Sequence, residues 1–178
     1  MHTEVLEFWF SELSPQDWWK KDAALDQMIE RRFLQTLARA RRGELFDWRE
    51  QPEGRLAEII VLDQFSRNIY RDTPAAFAQD PVALVLAQEA VRIGADAHLS
   101  AIQCHFLYMP YMHSESVLIH KHAEQLFRDN GLENEYRFEL KHKAIIDRFG
   151  RYPHRNAILG RESSSEELEF LEQPGSSF

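Results

Sequence analysis

The chain has 178 residues, enough for one domain with a core of its own, and carries 21 basic against 29 acidic side chains for a formal net charge of −8. That acidity excludes a general nucleic-acid binder, which needs an excess of Lys and Arg to hold phosphates, and 44% hydrophobic with 12% aromatic residues excludes a disordered chain. A single cysteine, Cys104, rules out an internal disulfide framework and a multi-cysteine metal knuckle.

Apolar positions recur every three or four residues, as in Leu25, Ile29, Phe33 and Leu37, and alternating strand patterns are missing, so the expected fold is all-α. Met1 to Phe10 has no basic stretch, and Glu4 and Glu7 break its apolar run, which points away from a secretory signal and toward a cytoplasmic protein. About eight helices follow from the punctuation, at roughly 3–11, 22–42, 54–71, 81–94, 98–112, 115–130, 133–149 and 163–172, with short helical turns near 15, 74 and 154. Gly43, Gly94, Gly131 and Gly150 stand where helices should end, and Pro52, Pro74, Pro81 and Pro153 where they should begin. The connections are short, so neighbouring helices should be antiparallel. The stretch from Ala97 to Ser114 contains no Asp, Glu, Lys or Arg, but its His98, Gln103, His105 and Pro110 make it a buried core helix rather than a membrane span, with a kink or break at Pro110. Ser163 and Glu166 have the spacing of a capping box for the last helix. No linker divides the chain, which is expected to be one domain over 1–178 with an acidic helix and tail at 163–178.

Three polar blocks stand out. Asp63, Gln64, Arg67, Asn68 and Arg71 fall on one side of the third helix, where they form either a solvated face or one wall of a site. Between 137 and 161 seven Lys or Arg face only Glu139 and Asp147, and Arg148, Arg151 and Arg155 crowd around His154 and Asn156. Such density needs carboxylates or a bound anion, and the acidic segment Glu162 to Glu172 is the alternative partner. Seven histidines lie in the C-terminal half, but only one Glu-x-x-His step occurs, Glu139 to His142, so neither a metal nor a cofactor is expected. Nucleotide-binding glycine loops, the serine-hydrolase elbow and H-E-x-x-H are missing from the sequence.

LDQFSRNIYR (Leu62 to Arg71), FLYMPYMHSE (Phe106 to Glu115) and RFGRYPHRNAILGR (Arg148 to Arg161), with FWF at Phe8 to Phe10, resemble the signature blocks of the bacterial domain-of-unknown-function family 924. This chain has Ser66 where that family usually places proline and Tyr152 where it favours phenylalanine. The resemblance implies a TPR-like, right-handed stack of helices and a set of recurring polar positions, with no activity attached, although no tetratricopeptide repeat pattern is present in the sequence. Those positions are Asp63, Gln64, Arg67, Asn68, Arg71, His113, Glu115, Arg148, Arg151, His154, Arg155 and Asn156, and the blocks around Arg67, His113 and Arg151 are expected to meet in one concavity. The expected ligand is a small phosphate or carboxylate held by the arginines, Gln64, Asn68 and Asn156. His113 or His154 would be the acid or base, held by Glu115 or Asp63, in hydrolase or transferase chemistry. The alternative is a groove for a protein or peptide partner, with the polar residues fixing helix geometry and no catalysis.

Overall fold

The computed structural model of the chain describes residues 1–176 and is all-helical, with no strand among the described residues. Helix α1 (His2–Glu7) runs directly into a π turn at Phe8–Glu12, and α2 (Ala23–Arg41) follows. Helix α3 (Pro52–Ile60) passes through a second π turn (Val61–Phe65) into α4 (Ser66–Ile69), so that the three form one helical run. Then come α5 (Asp80–Arg92), α6 (Ala101–Met112), α7 (Val117–Asp129), α8 (Glu133–Phe149) and α9 (Ser165–Leu171). With α3 and α4 taken together, eight helices are present among the described residues, as expected. The last two residues of the expected 163–178 segment lie outside the described residues.

Local chemistry accounts for most helix ends. The Asp22 side chain accepts hydrogen bonds from the Ala24 and Leu25 amides at 2.9 and 3.3 Å and so starts α2. Gly150, at φ +68°, ends α8 by donating its amide to the Ile146 carbonyl at 2.8 Å. Two expectations are corrected. The capping box of α9 is Ser164 with Glu167, one residue later than Ser163 with Glu166, because the Ser163 hydroxyl is taken by Asn156 Nδ2 at 3.0 Å. Helix α6 does not break at Pro110 but ends two residues later at Met112, so the lost hydrogen bond falls near the end of the helix, where it costs least.

The core is aromatic. Phe8 and Trp9, from the first π turn, meet Phe33, Phe65 and Phe106, with Phe33 and Phe65 rings 4.7 Å apart and Trp9 edge-on to Phe106 at 5.4 Å. Each such ring contributes about 1.5–3 kcal/mol through burial. Helix α6 packs against α3, α5, α7 and α8, which is why Cys104 through Met112 are all buried and why the sequence there carries no charge. Helices α7 and α8 pack together across a link of only Asn130 to Leu132, which makes them antiparallel. A small second core of Ile145, Ile146 and Tyr152 ties the chain after α8 to α9 through Phe149 and Phe170.

Gly54, in the second position after Pro52, lets α3 approach the turn before it: a Cβ there would sit 2.0 Å from the Trp48 carbonyl oxygen. Gly54→Ala should therefore destabilise the fold by about 1–3 kcal/mol or more, read as a lower urea midpoint.

Candidate functional site

The second π turn inserts an extra residue per turn and turns Asp63 inward, where it is fully buried. His113, just past the end of α6, places Nδ1 2.7 Å from Asp63 Oδ1. Arg67 donates to the Asp63 carbonyl at 3.0 Å and, as a two-pronged fork, to both oxygens of Asp80 at 2.8 and 2.9 Å. Asp80, at the start of α5, also accepts from Arg155 at 3.2 Å, so two guanidinium groups share one carboxylate. Arg155 donates its other terminal nitrogen to the His113 carbonyl at 3.1 Å and lies over the Phe77 and Tyr152 rings at 4.6 and 4.8 Å. Its Nε has no hydrogen-bond partner among the described residues.

The four residues after Tyr111 are each gripped. The Met112 carbonyl accepts from the Tyr152 hydroxyl at 2.5 Å, and the Ser114 carbonyl accepts from His120 Nε2 at 2.9 Å. Glu115 accepts the Tyr152 amide at 2.8 Å and a fork from Arg161 at 2.6 and 2.9 Å. Arg161 also donates to Asn156 Oδ1 at 2.9 Å, which places Asn156 behind the wall rather than in the opening. Because the Tyr152 hydroxyl gives its proton to Met112, it can only accept from His120 Nε2, 3.2 Å away, and that nitrogen carries a proton. His120 Nδ1 lies 2.7 Å from Glu139 Oε1, so the pair holds one further proton between them in a fully buried position. Burial raises the Glu139 carboxyl, against the pull of His120.

A cleft of about 340 Å³ opens onto the first network. Asp80, His113, Ser114, Glu115 and Arg155 supply its polar side, and Pro74, Phe77, Pro81, Leu84, Pro110 and Leu159 its apolar side. Burial works against the charged form of Asp63, but Arg67 and His113 outweigh it and hold the carboxyl well below its usual range. The ionised carboxylate can only accept, so His113 Nδ1 carries the hydrogen and Nε2 is left with a lone pair. Nε2 has no hydrogen-bond partner among the described residues, and His113 lines the cleft. Burial and Arg67 lower the His113 value despite Asp63, so the ring is neutral at pH 7. Glu115 would be raised by burial, but Arg161 and the Tyr152 amide keep it ionised.

Of the residues expected to meet in one concavity, His113, Glu115 and Arg155 line the cleft, Asp63 and Arg67 lie behind it and reach its wall through His113 and Asp80, and the rest turn elsewhere. Asn68 and Arg71 turn to Asp26 on α2, at 2.8 Å and in a fork at 2.6 and 2.7 Å, because the π turn rotates the residues beyond it off the stripe of a regular helix. Arg151 forks onto Glu167 at 2.7 and 2.8 Å, and Arg148 reaches Glu166 at 2.8 Å, so the acidic segment answers both, and neither lines the cleft. Gln64 donates to Asp63 from inside the core. His154 packs against the Tyr152 ring at 5.5 Å and does not line the cleft. Sequence reading missed Asp80, Asp26 and Phe77. Asp80 had a signal, an acid beside Pro81 at a helix start, in a chain whose basic segment 137–161 held only two acids of its own. Among the described residues no group of three or more His, Cys, Asp or Glu converges as a metal site requires, and no helix is long and apolar enough to cross a membrane.

Burial pushes three further histidines down, His105 to about 4, His142 to about 3 and His154 to about 4. In the unfolded chain each takes a proton near pH 6.5, so the native state binds fewer protons below that pH. The stability they contribute is complete above pH 6.5 and is lost as pH falls toward 4. Melting temperatures should drop across this window, and His105→Phe should flatten the drop by on the order of 3 kcal/mol at most. That ring sits among Trp19, Phe106 and Phe127, with neither nitrogen hydrogen-bonded among the described residues.

Known proteins place this arrangement in a family. The family described as "Bacterial protein of unknown function (DUF924)" matches residues 5–175. A solved structure of a protein of unknown function from Agrobacterium tumefaciens is similar at 37% identity, with a TM-score of 0.91 over 96% of each chain. Among curated proteins none matches. A match that spans nearly the whole chain, together with a shared fold at that identity, shows that the chain belongs to the bacterial DUF924 family.

Proposed function

We propose that the cleft between α5, the end of α6 and the turn after α8 binds a small anionic ligand and handles a proton on it, as a hydrolase or transferase does. The observation that carries this reading is the Asp63–His113 pair: a buried carboxylate 2.7 Å from Nδ1 fixes the ring, and Nε2 is left as the nitrogen a ligand can reach. His113 is then the general acid or base and Asp63 its positioning residue. Arg155 is the cation that lines the cleft beside it.

A second reading has support of its own. Arg67, Arg71, Arg151, Arg155 and Arg161 all meet carboxylates, which is what a structural network would show. A groove of about 420 Å³ also runs between α5 and α7, lined by Val91, Leu118, Ile119 and Leu126 with Tyr111 at its base. In that reading the chain is a TPR-like module for a peptide or protein partner.

Thermal-shift measurements with a panel of small carboxylates and phosphate monoesters separate the two. The cleft reading expects a stabilising ligand whose effect disappears in Leu159→Trp, which fills the cleft, and survives in Leu118→Asp, which lies in the other groove. A shift lost in Leu118→Asp and kept in Leu159→Trp would favour the partner groove.

A further inference from the structure

Resting on the reading of the cleft as a ligand site, we propose that its ligand is a monocarboxylic acid with a short apolar body, and that the ligand's charge is balanced by a proton taken up on His113 Nε2 rather than by a spare arginine.

The charges of the groups around the cleft already cancel. Arg67 and Arg155 are matched by Asp63 and Asp80, and Glu115 is matched by Arg161. The groups within electrostatic reach of His113 come from every element around it: Asp63 and Arg67 from the α3–α4 run, Asp80 from α5, His105 from its own helix, His142 from α8, and His154 from the turn beyond. His105, His142 and His154 are neutral through burial and add no charge. An entering monoanion therefore leaves one negative charge in excess beside a partly apolar wall, and since Arg67, Arg155 and Arg161 hold the neighbouring carboxylates ionised, the lone pair of His113 Nε2 is the group that takes a proton to cancel it. The proton moves from solvent to Nε2, Asp63 stays ionised on Nδ1, and no covalent bond of the ligand changes.

Charge alone does not separate this ligand from inorganic phosphate, part of which is a monoanion at pH 7, but phosphate carries four oxygens that each seek a donor. The remaining walls, Pro74, Phe77, Pro81, Leu84, Pro110 and Leu159, offer no further donors from their side chains and suit a hydrocarbon body. In the loaded cleft His113 is then the acid, which settles its direction of proton transfer.

Titration calorimetry on the intact natural chain tests this, with hexanoate and inorganic phosphate as probes in two buffers of different ionisation enthalpy. The expected result is uptake of about one proton per hexanoate at pH 7 and a Kd that weakens about tenfold per pH unit above it. Phosphate should not bind at the same concentrations. His113→Gln, if it folds, should lose the pH dependence, and if it does not fold the natural chain still decides. Hexanoate binding with no proton uptake overturns the proposal and leaves the cleft as a ligand site. Phosphate binding in place of hexanoate overturns the ligand class. Silence from both acids at every pH overturns the proposal and the cleft reading together.

Discussion

Two arginines drawn to one carboxylate set the terms for this protein. Arg67 and Arg155 both reach Asp80, in a space where their side chains are 19% and 8% exposed, so their repulsion is poorly screened. Asp80 alone cannot neutralise them. Asp63 supplies the second negative charge from inside the π turn, and it can stay ionised there because Arg67 and His113 face it. Replacing any one of these groups with an apolar side chain strands its neighbour, and the penalty for a stranded buried charge is larger than the net worth of the pair that held it.

The same bonds shape the backbone. A connection of four residues between α6 and α7 would ordinarily be a pliant surface turn, yet three of them, His113, Ser114 and Glu115, and Met112 just before them each engage a partner outside the connection. The turn after α8 is built around these contacts, with Tyr152 giving its hydroxyl to Met112 and taking the Glu115 carboxylate on its amide. A phenylalanine at this position would lack the link to Met112 and the contact with His120, so the tyrosine hydroxyl holds this wall by more than packing. Rigidity of this kind is what a preorganised site needs, and a structural clasp needs it equally.

Much of the fold was legible because helices announce themselves locally. Periodicity, Asp22, Gly150 and the prolines gave helix limits within a few residues, and the charge-free stretch around α6 marked its burial from all sides. The polar blocks were legible as groups but not as partnerships. A regular helix would keep Asp63, Arg67 and Arg71 in one row, and nothing in the residues from Val61 to Phe65 announces that the turn will widen. Which carboxylate an arginine meets depends on contacts between distant segments, and Asp26, Asp80 and Glu167 were each one acid among many. Sequence crowding therefore picked out the arginines as a group, but not that Arg71, Arg148 and Arg151 are each taken up by a carboxylate.

The Asp80–Arg155 contact joins residues 75 positions apart, and Asp63–His113 joins residues 50 apart. Closing loops of that size costs chain entropy before any contact repays it, whereas each helix can form from its own neighbours. Helices can therefore form early, but the aromatic core must wait for distant segments as the ionic contacts do, since Trp9 and Phe106 lie 97 positions apart. The charged network therefore ties together what no helix can bring together alone, α5, the end of α6 and the turn after α8.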